Sequence, residues 1–213
     1  MVIPRETRRI TYSTEIRNLK KRLSLSAFQG EVLVGCLLGD AHLENNWSKT
    51  NYRLKISQSK QQEKYVDWKY KIFKDWVLTE PKLHVSTNSM RFTTVNHSDF
   101  NDFHHIFYEG RKKIVPVNLG QLLSPLALAV WFMDDGNRVA YGSKIAGYHI
   151  NSQSFTREEN EFITQTLKEK FGLCTSLQAN NGRVRIFVRA QSRQLFVNLI
   201  ESYIIPSMRY KLS

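Results

Sequence analysis

Two apolar runs that each close on an aspartate stand far apart in this chain: LVGCLLGDA over residues 33–41 and LAVWFMDDG over residues 128–136, with Asp40 and Asp135 separated by 95 positions. Each reads as a buried helix that delivers a carboxylate at its C-terminal end. The helix macrodipole disfavours negative charge there unless a cation compensates it, so a positive group is expected beside each aspartate. Brought together, Asp40 and Asp135 would make the carboxylate-rich oxygen environment that Mg²⁺ prefers. Gly35 and Gly39 lie one turn apart and leave one face of the first helix bare, which permits close approach of a partner backbone. The second run carries Val130 where the first has Gly35, so closeness on that side must come from Ala127 or from asymmetry between the copies.

At 213 residues, with 41% hydrophobic and 12% aromatic content, the chain can bury a substantial core as one large domain or two small ones. Its 31 Lys and Arg against 19 Asp and Glu leave a net charge of +12. That excess favours a polyanion, nucleic acid first. Cys36 and Cys174 fall in separate halves without zinc-type spacing, which excludes a disulfide framework or zinc knuckle and suits a reducing compartment. No apolar stretch approaches membrane-spanning length or forms a signal-peptide core, so a soluble protein without a membrane partner is expected. Residues 1–25 carry Arg5, Arg8, Arg9, Arg17, Lys20, Lys21 and Arg22, a basic extension broken by Glu6 and Glu15. A DNA-touching arm and a plain solvated extension fit it equally.

The same offset of 95 recurs elsewhere. Ser57-Gln58-Ser59 returns as Ser152-Gln153-Ser154, Glu63 falls on Glu158, Trp76 on Phe171 and Phe92 on Phe187. Two copies of one supersecondary unit follow. Ser26 with Gln29, and Ser124 with Pro125, predict the starts of the two motif helices. Residues 52–59 alternate Tyr52, Leu54 and Ile56 with Arg53, Lys55 and Ser57, predicting a half-buried strand with one basic face. Tyr65, Trp68, Ile72 and Trp76 predict a core-facing helix over 61–76, and Thr156 with Glu159 opens its counterpart, whose stripe includes Phe162, Leu167 and Phe171. Hairpins are expected at 83–95 around Asn88 and at 176–189 around Asn181-Gly182. In the latter, Val184, Ile186 and Val188 alternate with Arg183, Arg185, Phe187 and Arg189, a guanidinium-bearing face suited to phosphates and guanine edges. Helices near 98–108 and 191–202 complete a mixed α/β (α+β) chain of two pseudosymmetric αββαββα halves. The predicted organisation is a 1–25 extension, a first half over 26–109, a linker over 110–123 and a second half over 124–213.

Aligned on their final acids, the two runs resemble the nine-residue signature of the LAGLIDADG homing endonucleases. Leu33, Gly35 and Asp40 are identical to it in the first copy, and Leu128, Ala129, Asp135 and Gly136 in the second. WFMDDG, the NSQSFT stretch from Asn151 and the MRYKL ending at Leu212 are similar to the intron endonuclease branch typified by the yeast mitochondrial large-rRNA intron enzyme. The resemblance implies a monomer whose antiparallel strands form a saddle over double-stranded DNA, with the two motif helices packed at the interface of the halves. It implies Asp40 and Asp135 as catalytic metal ligands for two or more Mg²⁺ ions, Mn²⁺ substituting, with Gly39 and Asp134 beside them; Asp134 reads either as a ligand through its backbone carbonyl or as a structural cap. It implies basic support from Lys113 (with Lys112 as the alternative) and Lys211, and water-positioning by Gln58 and Gln153 late on the second strand of each half. Arg53, Lys55, Arg91, Arg138, Lys144, Arg183, Arg185 and Arg189 would contact DNA. Cleavage of an asymmetric target, intron homing and an organellar location are the functional expectations.

Two rival readings keep the scaffold and change the activity: an RNA maturase that assists intron splicing, and a non-cleaving DNA-binding regulator. Other catalytic schemes find no support, because no HExxH, GxSxG, Walker A or GxGxxG string occurs. His104 and His105 read as surface or packing residues.

Overall fold

Both motif helices begin where their side-chain caps predict. Ser26 N–H donates to Gln29 Oε1 at 3.1 Å while Gln29 N–H donates to Ser26 Oγ at 3.2 Å. Ser124 Oγ accepts from Ala127 N–H at 3.1 Å, with Pro125 at the first helical position. The structure, a computed structural model, describes residues 14–45, 50–142 and 144–213. Arg5, Glu6, Arg8 and Arg9 of the basic extension lie outside the described residues.

In chain order the elements are α1 (Thr14–Arg22), α2 (Ala27–Leu38), β1 (His42–Asn45), β2 (Tyr52–Ser59), α3 (Glu63–Ile72), β3 (Lys82–His84), β4 (Ser89–Thr93), α4 (Asp99–Phe107), β5 (Tyr108–Glu109), β6 (Lys112–Lys113), α5 (Leu119–Leu122), α6 (Pro125–Asp135), β7 (Gly136–Tyr141), β8 (Lys144–Ile150), α7 (Arg157–Phe171), β9 (Thr175–Asn180), β10 (Arg183–Val188) and α8 (Arg193–Ile200). The chain divides into two compact units. One runs to Gln29 and resumes over Ala41–His104; the other comprises Gly30–Asp40 and His105–Ser213.

The first unit holds an antiparallel sheet of order β1-β2-β4-β3. Leu54 and Ile56 of β2 and Met90 and Phe92 of β4 are buried with Tyr65 and Val66 of α3, and Trp76 packs edge-on against Phe100 at 5.2 Å. The helix predicted over 61–76 is α3 followed by a separate 3₁₀ turn over Lys74–Trp76. Helix α1 is no loose tail. Ile16 is buried, Lys20 O meets His97 Nε2 at 2.9 Å, and Asp99 Oδ2 accepts Leu25 N–H at 2.9 Å, while Arg17, Lys21 and Arg22 remain exposed. His104 stacks on Tyr52 at 3.6 Å and His105 is exposed, in keeping with packing and surface roles.

The second unit holds an antiparallel sheet of order β7-β8-β10-β9. Phe132 of α6 contacts Tyr148 of β8 and Phe196 of α8 with ring centroids 5.7 and 5.2 Å apart. The capping box of Thr156 and Glu159 opens α7, and Gly172 ends it at φ 68° in the left-handed region. Phe162 departs from the predicted stripe: it is 40% exposed, because Asn160, Ile163 and Leu167 take the inward face and Phe162 sits about 100° around the helix from Ile163. Asn181 and Gly182 adopt positive φ of 49° and 75°, making the tight turn expected of Asn-Gly. The connector is structured as well: β5 and β6 form a small hairpin turning at Gly110 (φ 60°), and α5 follows.

The ladders correct the repeat register. Ile56 opposes Phe92 in the first sheet, and Ile150 opposes Ile186 in the second. The central strands β2 and β4 therefore repeat as β8 and β10 at an offset of 94, one less than the aspartates. Phe92 corresponds to buried Ile186, whereas Phe187 lies on the opposite, half-buried face beside His149. On the same register Gln58 corresponds to Ser152, and Gln153 falls in a turn beyond β8 instead of late on that strand. Arg91 corresponds to Arg185.

Among the described residues Cys36 and Cys174 form no disulfide. Among the described residues no helix is long and apolar enough to cross a membrane.

Candidate active site

Helices α2 and α6 meet through the glycines that sequence singled out. A Cβ on Gly35 would fall 2.6 Å from Val130 Cβ and also strike the carbonyl oxygen of Ala127. Val130, the second run's departure from glycine, thus fills the space that Gly35 leaves, and the asymmetry is itself the packing. One turn on, a Cβ on Gly39 would fall 2.6 Å from Asp134 Cβ, and Asp134 Oδ2 accepts the backbone N–H of Asp40 at 3.3 Å. Only residues without a Cβ allow this approach at both levels.

A lysine stands at the C-terminal end of each helix, as the macrodipole argument requires. Lys113 Nζ donates to Gly39 O at 2.6 Å; Lys211 Nζ donates to Met133 O at 2.5 Å and to Asp134 O at 2.8 Å. The contacted Gly39 and Asp134 are the residues preceding Asp40 and Asp135, so the two ammonium groups occupy matching stations. Geometry separates Lys113 from Lys112, whose side chain is exposed. Gly39 and Asp134 each use a lone pair of the carbonyl on a lysine; a carbonyl oxygen has two.

Asp40 is exposed at the helix end, while Asp134 is buried and Asp135 half-buried. Burial, followed by the neighbouring charges of Asp40 and Asp134, pushes Asp135 up to about 8 against the downward pull of Lys113 and Lys211. Burial lowers the pKa of Lys113, against the opposing pull of Asp135, Asp134 and Asp40. With all three aspartates ionised, such a cluster would carry more negative charge than its two lysines offset, which is the condition a hard cation relieves. Among the described residues no group of three or more His, Cys, Asp or Glu side chains is arranged to hold a metal ion. Asp40 and Asp135 each present a carboxylate at this cluster, the donor type that suits a hard divalent cation.

A pH dependence follows. A carboxyl whose folded pKa is raised contributes stability that is fully present below its unfolded pKa and is lost as pH rises through the folded pKa. Metal-free protein should lose melting temperature from about pH 4 to about pH 8, at up to about 1.4 kcal/mol per pH unit from this group. Lys113, shifted downward, acts in the opposite direction towards alkaline pH, so the comparison is the wild type against Asp135→Asn. The two should converge at low pH, with the variant the more stable near pH 8. Parallel melting profiles would remove the argument.

Sequence reasoning missed Asn151. The residue just past β8 donates its backbone N–H to Asp135 O at 3.0 Å and its Nδ2 to the same oxygen at 2.7 Å. Its ladder counterpart is Ser57, and the 94-residue register would have pointed to it. Of the glutamines, Gln58 is buried in the first unit, whereas Asp40 belongs to the second; Gln153 accepts from Arg183 Nη1 through its backbone carbonyl oxygen at 3.3 Å.

The expected DNA-contacting residues divide by sheet. In the first, Glu44 is shared by Arg53 at 2.6 Å and Lys55 at 3.1 Å, and Arg91 Nε donates to Ser57 Oγ at 2.9 Å. In the second, Arg138 and Lys144 are exposed on β7 and β8, Arg183 is exposed, and Arg185 is half-buried with Nη1 donating to Asn151 Oδ1 at 3.3 Å. Arg189 is exposed one residue beyond β10.

Residues 30–196 match the LAGLIDADG DNA endonuclease family. The chain belongs to that family. This LAGLIDADG protein is 31% identical over 208 residues to "Probable intron-encoded endonuclease 1" of Wickerhamomyces canadensis, covering 92% of this chain and 89% of that protein. It is 29% identical over 194 residues to "Cytochrome b mRNA maturase bI2" of Debaryomyces hansenii, covering 85% of this chain and 72% of the relative. The solved structure of the homing endonuclease I-WcaI bound to its DNA recognition sequence superposes with a TM-score of 0.87 and 30% identity, over 95% of this chain and 93% of that one. The fold is that of the LAGLIDADG homing endonucleases, mixed α/β with antiparallel sheets, and the chain's function is that of a homing endonuclease.

Proposed function

We propose that this LAGLIDADG endonuclease makes a Mg²⁺-dependent double-strand break in a long, asymmetric DNA target and thereby promotes intron mobility. The observation that carries the reading is the convergence of Asp40, Asp134 and Asp135 with Lys113 and Lys211 at the ends of two helices in glycine-mediated contact. Bound divalent cations, Mg²⁺ with Mn²⁺ as substitute, supply charge neutralisation at the phosphoryl oxygens and lower the pKa of an attacking water. Asp40 and Asp135 would hold them, with the Gly39 and Asp134 carbonyls at hand. Lys113 and Lys211 keep the helix ends together and add fixed positive charge beside the scissile phosphates. Gln58 and Gln153 orient water.

Binding and chemistry reside on different residues. Arg53, Lys55, Arg91, Arg138, Lys144, Arg183, Arg185 and Arg189 meet the duplex, and the two sheets differ in these residues, so the target lacks symmetry. A single chain with halves over 26–109 and 124–213, joined by 110–123, carries both aspartates and acts as a monomer. An organellar intron is the proposed home. A second reading, splicing assistance through intron RNA, draws support from the maturase relative.

Selection of cleaved sequences from a randomised duplex library, with Mg²⁺ or with chelator, tests the proposal. One long asymmetric site should be enriched with Mg²⁺ only. Enrichment of nothing removes the nuclease reading, and cleavage indifferent to chelation removes the metal.

A further inference from the structure

Asn151 uses its whole side-chain amide. Nδ2 donates to Asp135 O at 2.7 Å and to Asn137 Oδ1 at 3.0 Å, while Oδ1 accepts from Arg185 Nη1 at 3.3 Å. With its own N–H also on Asp135 O at 3.0 Å, Asn151 grips that carbonyl twice. An amide can donate and accept at once, which a carboxylate or an ammonium cannot. Arg185 holds a further resource: its Nε is buried without a hydrogen-bond partner, on the face of β10 that also carries Arg183. A buried donor of this kind is costly unless a ligand satisfies it. A guanine edge or a phosphate oxygen would do so once the side chain turns to expose the donor.

We infer that Asn151 is a positioning residue that links Arg185 to Asp135, so that engagement of DNA by Arg185 sets the alignment of the metal-binding aspartate in this half. The path is one side chain long: guanidinium, amide, backbone carbonyl of Asp135. Groups joined through such a network respond non-additively to removal, whereas independent contacts multiply their penalties. The first sheet carries a related arginine at the equivalent ladder place, Arg91, but it donates to the hydroxyls of Ser57, Ser89 and Thr87 instead of to an amide. A hydroxyl has a single proton and cannot reproduce the two donations of the amide.

The inference rests on the proposed cleavage activity, and the test separates the two. Single-turnover cleavage is measured at saturating enzyme on the target selected by the wild type, with the equilibrium affinity measured alongside in Ca²⁺. Asn151→Ala and Arg185→Ala should each slow cleavage of bound DNA about tenfold, and the double variant should be close to tenfold slower, not hundredfold. Asn151→Ser keeps a small polar residue of the kind the first sheet tolerates; it should show the same slowing and the same loss of dependence on Arg185, with DNA affinity within about twofold of wild type. Penalties that multiply, or an Arg185→Ala defect confined to affinity, overturn the coupling while leaving the nuclease intact. A wild-type protein that cuts no DNA overturns both.

Discussion

Asp40→Asn and Asp135→Asn should each abolish double-strand cleavage, by about a thousandfold or more, while leaving DNA affinity within about tenfold of wild type. Asparagine preserves the shape of each side chain and removes the charge on which cation binding depends. The fold should survive, because Asp135 is held well above its ordinary range by burial and by Asp40 and Asp134. Removing one member of a crowded carboxylate group relieves repulsion instead of breaking a salt bridge. Affinity should survive because the expected phosphate contacts lie on strands, on Arg53, Lys55, Arg138 and Arg183 among others. Cleavage of a supercoiled plasmid carrying the selected target, with binding measured on the same duplex, reads both quantities. Mg²⁺-dependent double-strand cleavage by both single variants would sink the site assignment.

Much of this site was legible because its signals are local. Ser26 with Gln29 and Ser124 with Pro125 mark helix starts through hydrogen bonds reaching only a few residues, and Asn181-Gly182 marks a turn through its own backbone preference. The demand for a cation at each motif helix end is also local in origin, and Lys113 and Lys211 meet it from distant sequence positions. Strand register is different. Gly136 opposes Ile150, so the hairpin after Asp135 is one residue shorter than the 95-residue offset requires, and its ladder is irregular between Val139 and Ala140. A slip of one residue turns every side chain to the other face of the sheet. That is why pairing Phe92 with Phe187 joined a core residue to one on the opposite face, and why Gln153 drew attention while Asn151 did not. The fate of Phe162 has a similar cause, since an apolar residue at the margin of a helix stripe is buried only if a neighbour covers it.

Gly35→Val should destabilise the protein by about 3 kcal/mol through overpacking, seen as a fall in melting temperature of roughly 6–12 °C for a chain of this size. The new Cβ would stand 2.6 Å from Val130 Cβ and would also meet the Ala127 carbonyl oxygen, so a rotamer change alone cannot relieve it. The helices must separate, and with them Gly39 from Asp134 and Asp40 from its hydrogen bond to that side chain. Cleavage should therefore fall further than the unfolded fraction accounts for. Adding Val130→Gly exchanges the residues between the two corresponding motif positions and tests the asymmetry directly. It removes the side-chain clash, leaves the backbone clash with Ala127, and introduces a mid-helix glycine that costs about 1 kcal/mol. The exchanged protein should consequently melt above Gly35→Val and below wild type, whereas two independent lesions would add and place it lowest of all. An exchanged protein as stable as wild type would mean that Ala127 yields readily and that the contact is set by side chains alone; one less stable than Gly35→Val would mean that Val130 is not what the new valine meets.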